Sequence, residues 1–269
     1  MKKIILIVLI FANVNIYAQK DSKKTYYYYN QKFGEQYGVN LTAKNIVSTT
    51  EYAKLGLEII NDTEDFLLFE KDKCKFVVDG NSYFPRKKKK GDIIFPNSKR
   101  VITVKSAGET NYLTEDIDFK PGGFYTFSAE GKVVETEPFH LPPNRNEINN
   151  GIFKINMLKL KKQTDETVVQ FRCTYTGDKI GLIKPSNCVL RTENGKEWAT
   201  VNSKEKIKVL QKNDKVKFTV TFKIPGKITD MQFAEMDIVW KNTFSESELK
   251  QLNFDIQHFN LDSNKTKNK

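Results

Sequence analysis

The chain has 269 residues, with 44 Lys and Arg against 33 Asp and Glu for a formal net charge of +11, and it contains only three Cys and two His. So little histidine leaves scant material for a His-based metal site or a Ser-His-Asp triad, and a chain of this length buries a core without needing disulfides or metals. Thirty-nine of the basic residues are Lys, which is less suited than Arg to planar recognition of phosphate, and the excess is diffuse: residues 25–140 hold 16 basic and 17 acidic side chains, residues 151–260 hold 19 and 13.

Lys2 and Lys3 precede an apolar run from Ile4 to Val14, and the small residue Ala18 offers a cleavage point before Gln19. Residues 1–18 therefore read as a secretory signal peptide. The run is shorter than the roughly 20 residues that span a bilayer, so the mature chain is expected to be periplasmic or secreted and not membrane-spanning. Tyr26, Tyr27, Tyr28 and Tyr29 form a run of four rings. One reading makes them a binding surface; the other makes them a β-segment along an edge, in which period-2 alternation buries two.

Beyond Tyr37, apolar residues alternate at Val39, Leu41 and Ala43, at Leu55, Leu57 and Ile59, and at Cys74, Phe76 and Val78, the pattern of half-buried strands. Asp79-Gly80 predicts a type I′ hairpin turn, whose two central residues need positive φ. Arg86, Lys87, Lys88, Lys89 and Lys90 follow Pro85 and repel one another, which predicts a loop projecting into water. That loop is a candidate contact for an acidic glycan or an acidic partner, or else a solvated tip that keeps edge strands from aggregating. Acidic clusters at 61–65 and 115–118 lack the EF-hand pattern and read as inter-strand loops.

Paired Pro142 and Pro143 place a semi-rigid linker at 141–151. Alternation resumes at Phe153, Ile155 and Met157 and continues through Val169–Tyr175, Cys188 and Leu190, the turn Asn194-Gly195, and Val216, Phe218 and Val220. Cys173 and Cys188 both fall on inward positions, as a disulfide or as free buried thiols. Ser245 and Glu248 have capping-box spacing ahead of Leu249 and Leu252, which predicts a short helix. Residues 261–269 read as a flexible tail.

The second series mirrors the first. Asn97-Ser98-Lys99-Arg100-Val101-Ile102-Thr103-Val104 returns 116 residues later as Asn213-Asp214-Lys215-Val216-Lys217-Phe218-Thr219-Val220, with four of eight positions identical, and Cys74 and Tyr83 match Cys188 and Trp198 in order. The period exceeds that of solenoid repeats, so each copy is expected to be a domain with its own core. A leader followed by two copies of hairpin-rich alternating strands, each with an Asn-(Ser/Asp)-Lys turn before a Val/Thr-rich strand, resembles the telokin-like, immunoglobulin-type extracytoplasmic domains of bacterial envelope proteins. The resemblance implies an all-β chain of two tandem immunoglobulin-like antiparallel β-sandwich domains at 25–140 and 152–260. It also implies a binding or assembly role and names no ligand.

His140 and His258 lie at corresponding places near the ends of the two copies, and no nucleophile elbow, His-Glu-x-x-His pair or phosphate-binding glycine loop occurs. The functional expectation is therefore a non-enzymatic envelope binding or assembly module without a cofactor, directed to an envelope protein or an acidic glycan and not to nucleic acid. The alternatives are a periplasmic chaperone or secretion accessory protein, and a glycan-acting hydrolase with paired carboxylates.

Overall fold

A computed structural model describes residues 24–267 apart from Lys89, Glu109 and Ser203. The leader expected at 1–18 lies outside the described residues, as do Asn268 and Lys269. The architecture is all-β and antiparallel throughout, with helical residues limited to two short 3-10 turns and the segment Ser263–Lys267 among the described residues. Among those residues no helix is long and apolar enough to cross a membrane.

The sheets come in like-ordered pairs. Tyr26–Tyr28, Val39–Ser48, Tyr52–Asn61 and Ser98–Ala107 lie side by side in that order, with Gln31–Gln36 also on Val39–Ser48; Glu147–Asn149, Phe153–Lys162, Glu166–Tyr175 and Lys215–Lys223 repeat the order. In a second pair, Gln257–Phe259, Ile117–Lys120, Lys75–Val78 and Asn81–Tyr83 correspond to Phe139–Leu141, Met236–Trp240, Cys188–Thr192 and Glu197–Ala199. The third pair sets Lys250–Leu252, Phe124–Phe127, Phe66–Phe69 and Asp92–Ile94 beside the equivalent order Lys132–Val133, Phe244–Ser247, Ile180–Ile183 and Lys208–Leu210.

The alternation read from sequence is what creates the cores. Val39, Leu41, Leu55, Leu57, Phe76 and Phe119 all point inward and form a first core with negligible exposure. Ile155, Val169, Phe171, Phe218, Trp240 and Phe244 form a second. The connections are less local than the sequence pattern suggests. After Phe127 the chain leaves the first core and contributes Lys132–Val133 and Phe139–Leu141 to sheets of the second, burying Phe139 and Leu141 there. After Ser247 it returns, and Lys250–Leu252 and Gln257–Phe259 complete sheets of the first core with Leu252, Phe254 and Phe259. Gly131 marks the outward crossing: a Cβ there would lie 2.3 Å from the Glu246 carbonyl oxygen, so only glycine permits the approach.

A third cluster joins the two. Phe66, Leu68 and Phe127 from one side meet Ile180 and Leu182 from the other, and Phe66 and Phe127 stack with ring centroids 5.3 Å apart. The contact is self-complementary, because Phe66 and Ile180, like Leu68 and Leu182, hold corresponding positions in their sheets.

Four local expectations need correction. The span expected as a linker, 141–151, contains the end of one buried strand and all of Glu147–Asn149, which pairs with Phe153–Lys162. The helix expected from Ser245 is instead the strand Phe244–Ser247 followed by Lys250–Leu252, because neighbouring strands on both sides take up the backbone of Phe244–Ser247. Residues 261–267 are not free. The Asp262 N–H donates to the Tyr27 carbonyl at 2.7 Å, Leu261 packs on the first core, and the Tyr27 N–H donates to the Thr266 hydroxyl. Asp79-Gly80 forms its hairpin with both residues at positive φ, whereas at Asn194-Gly195 only Gly195 is left-handed and the Asn194 side chain accepts from the Lys196 N–H. That loop is the longer hairpin type that ends in a glycine bulge.

Phe259 stacks on Phe119 with centroids 6.0 Å apart and is fully buried. Phe259→Ala should lower the unfolding free energy by about 3–5 kcal/mol, read from the denaturant midpoint, while Asp255→Ala, exposed in the same segment, should move it by less than about 0.5 kcal/mol. Equal small effects would show that the C-terminal strands do not hold the first core together.

Candidate functional site

Ser98–Ala107 is the outermost strand of its sheet. Ile102, Val104 and Ser106 point into the core, and Val101, Thr103, Lys105 and Ala107 face outward. In a strand the N–H and C=O of one residue share a side, and that side alternates along the chain. The Thr103 carbonyl accepts from Lys71 Nζ at 3.4 Å, so the amides of Thr103 and, two residues on, Lys105 open onto the free edge.

Facing that edge is the chain after Tyr83. Pro85 is buried, Arg86, Lys87 and Lys88 are exposed, and Phe84 leaves half its surface in solvent. Between this segment and the strand lies an open cleft of about 550 Å³ lined by Lys71, Phe84, Pro85, Arg86, Thr103, Lys105 and Ala107. Three of the seven are cations and none is an acid, so the cleft favours anions. Lys105 Nζ is held 4.1 Å from the centre of the Tyr52 ring, which fixes one of those charges in place.

The corresponding seam on the other side of the molecule is shut. There the Val201 N–H donates to the Thr221 carbonyl at 2.8 Å, the Thr200 hydroxyl donates to the same oxygen at 3.0 Å, and the Thr200 N–H donates to the Cys188 carbonyl at 3.3 Å. Thr221 lies two residues before the end of its pairing, as Lys105 does. Thr200 follows by two the Trp198 that faces Leu190, just as Pro85 follows by two the Tyr83 that faces Phe76. Proline has neither N–H nor hydroxyl. Among the described residues no backbone donor reaches the Lys105 carbonyl, and the tie across this seam is the Ser106 hydroxyl donating to the Phe84 carbonyl at 3.0 Å.

The basic run, expected to project freely, is anchored at its far end. The Gly91 N–H donates to Gln211 Oε1 at 3.0 Å and Gln211 Nε2 donates back to the Gly91 carbonyl at 2.9 Å, while Lys90 pairs with Asp214. Lys88 pairs with Asp92 at 2.9 Å, and Arg100 reaches the same carboxylate at 3.3 Å. Arg86 lines the cleft and Lys87 is exposed to solvent; Lys89 lies outside the described residues. The run is thus divided, one end facing the cleft and the other tying the two cores together.

The tyrosines do not make a common surface. Tyr26–Tyr28 pairs along Val39–Ser48, Tyr26 packs partly on the first core, and Tyr28 is buried with its hydroxyl 2.8 Å from Ser48 Oγ. Burial pushes the Tyr28 hydroxyl up to about 12. Tyr27 is half-buried and Tyr29 is 52% exposed. This is the edge-covering arrangement. His140 and His258 sit on end strands opposite Asp237 and Asp118, at Nδ1 to carboxylate distances of 3.1 and 2.9 Å. Among the described residues no group of three or more His, Cys, Asp or Glu converges on a metal-sized site.

Lys71, Phe84, Thr103, Lys105 and Ala107 were not singled out by sequence, since nothing local marks a strand as an edge. Pro85 was the available signal: a proline where the other series carries threonine removes a donor. No protein-family model matches the chain, and no curated protein matches it.

All three cysteines are free and buried, and burial pushes each thiol up to about 12. The thiolate is the reactive form. Native protein at pH 8 should therefore give no thiol titre with an aromatic disulfide reagent, and three thiols per chain should appear in denaturant; rapid labelling of the native protein would contradict the burial described.

Proposed function

We propose that the chain is an exported, non-enzymatic binding and assembly module of the bacterial cell envelope, and that the cleft beside Ser98–Ala107 is its binding surface. In this reading it is built from two copies of one immunoglobulin-like β-sandwich. Each copy is completed by strands from the end of the other, so that the first comprises residues 24–127 with 250–261 and the second residues 132–247. The matched strand orders support the duplication, as does the equivalent edge position of the two related segments at 97–104 and 213–220.

The observation that carries the assignment is the asymmetry between the two seams. Two like-ordered sheets end in like edge strands, yet one edge is sealed by Thr200 and Val201 and the other is open over about 550 Å³ with Lys71, Arg86 and Lys105 on its rim. A difference confined to one of two equivalent places is what a binding site adds to a scaffold. Open sheet edges and surface loops held on rigid strands are common docking sites.

The test is retention of envelope components on the immobilised chain, compared with Arg86→Glu/Lys105→Glu. A single partner held by the wild type through a high-salt wash, and recovered about ten-fold less or worse by the variant, is expected, since reversing two rim charges costs at least ~1.4 kcal/mol. Equal retention by both proteins, or recovery only of material that salt removes, would reject the cleft as the binding surface.

A further inference from the structure

We infer that the open edge of Ser98–Ala107 takes an extended peptide as an added strand, and that the peptide alternates acidic and apolar side chains. The inference rests on the cleft being the binding surface, and it specifies what the cleft holds.

Three features select a strand. The outward amides of Thr103 and Lys105 supply donors and acceptors at the spacing of a β-ladder. A neighbouring strand lies roughly 4.8 Å away in the hydrogen-bonding direction, and the cleft occupies that place, with Phe84 and Pro85 as its far wall. Inside the same molecule the equivalent edge already accepts a backbone N–H at Thr221 from a passing segment. The first edge therefore lacks a partner that its counterpart has.

Two features select the side chains. Strand side chains alternate between faces, so alternate residues of an added strand come beside Lys105 and Thr103, and the charge there favours carboxylates. Phe84, half-exposed at the mouth of the cleft, offers apolar surface to the intervening residues. Lys71 and Arg86 close the rim with positive charge, which disfavours basic strands. From Val101 to Ala107 the edge spans roughly 20 Å, at about 3.3 Å per residue, enough for six or seven residues of ligand.

The experiment uses two synthetic octapeptides of alternating Glu and Val, one plain and one with alternate backbone nitrogens methylated, and an oligosaccharide of uronic acids with matched charge. Binding is measured by fluorescence anisotropy, and protection of the Lys105 amide by hydrogen exchange. The plain peptide should bind and protect the Lys105 amide, and the methylated peptide should bind at least about ten-fold more weakly because one ladder edge is blocked. Pro85→Thr, which restores the donors present at Thr200, should weaken the plain peptide by a similar factor while leaving the denaturant midpoint unchanged or higher. Equal binding of the two peptides, or saturation by the oligosaccharide alone, would overturn strand addition while leaving a charged binding surface intact. If neither peptide nor oligosaccharide binds although the envelope partner is retained through Arg86 and Lys105, the strand proposal fails and the module reading stands.

Discussion

The first hydrophobic core is closed from a distance. Leu252, Phe254 and Phe259 pack among residues no later than Phe124, and the strands that carry Leu252 and Phe259 pair with Phe124–Phe127 and Ile117–Lys120. The second core is closed the same way, by Phe139 and Leu141 on a strand that follows the first series. Each set of sheets thus depends on a segment that runs out of the other. Burying a Phe removes 150–250 Å² of largely apolar surface, and at about 25 cal/mol per Å² the crossing segments contribute several kcal/mol to each side. The two cores are consequently fastened by covalent topology as well as by the cluster of Phe66, Leu68, Phe127, Ile180 and Leu182.

That fastening fixes the geometry around the cleft. The loop opposite Ser98–Ala107 hangs from Asn81–Tyr83 at one end and from Asp92–Ile94 at the other. Its far end is tied by Gln211 and Asp214 to the other side of the molecule. With both ends held, the loop keeps its place beside the strand with the Ser106 hydroxyl bond to the Phe84 carbonyl as its tie to that strand. The counterpart loop, which carries threonine and valine at the decisive positions, bonds directly to its strand. At the position of Thr200, whose hydroxyl reaches the Thr221 carbonyl, Pro85 has no hydroxyl to offer, and among the described residues the Arg86 N–H makes no counterpart of the Val201 bond to its strand.

The sequence was informative where the physics is local. Alternation at Leu55, Leu57 and Ile59, and at Phe76 and Val78, gave strands whose inward residues form the core, and Asp79-Gly80 gave its turn. Legibility ended where pairing decides the outcome. Ser245 and Glu248 have the spacing of a helix start, yet Phe244–Ser247 lies between two strands that satisfy its backbone. Pro142 and Pro143 looked like the seam between two units, whereas the chain changes sides earlier, between Phe127 and Lys132. A strand paired to a neighbour 10 residues away and one paired across the molecule carry the same alternation. For that reason the edge status of Ser98–Ala107, and with it the cleft, was beyond local reading. The basic run was seen and its division was not, because Asp214 and Gln211 lie 120 residues further on.

A chain is made from its N-terminus, and the exchanged strands reverse the order in which its parts can be finished. Every strand around the second core falls between Lys132 and Ser247, so that unit is complete once those residues exist. The first core begins at Tyr26 and stays open until Phe259 has been added, with the edges of Ile117–Lys120 and Phe124–Phe127 unpaired in the meantime. Contacts between residues so far apart form slowly, since loop closure precedes their reward. The half of the molecule that is written first is the last to be sealed.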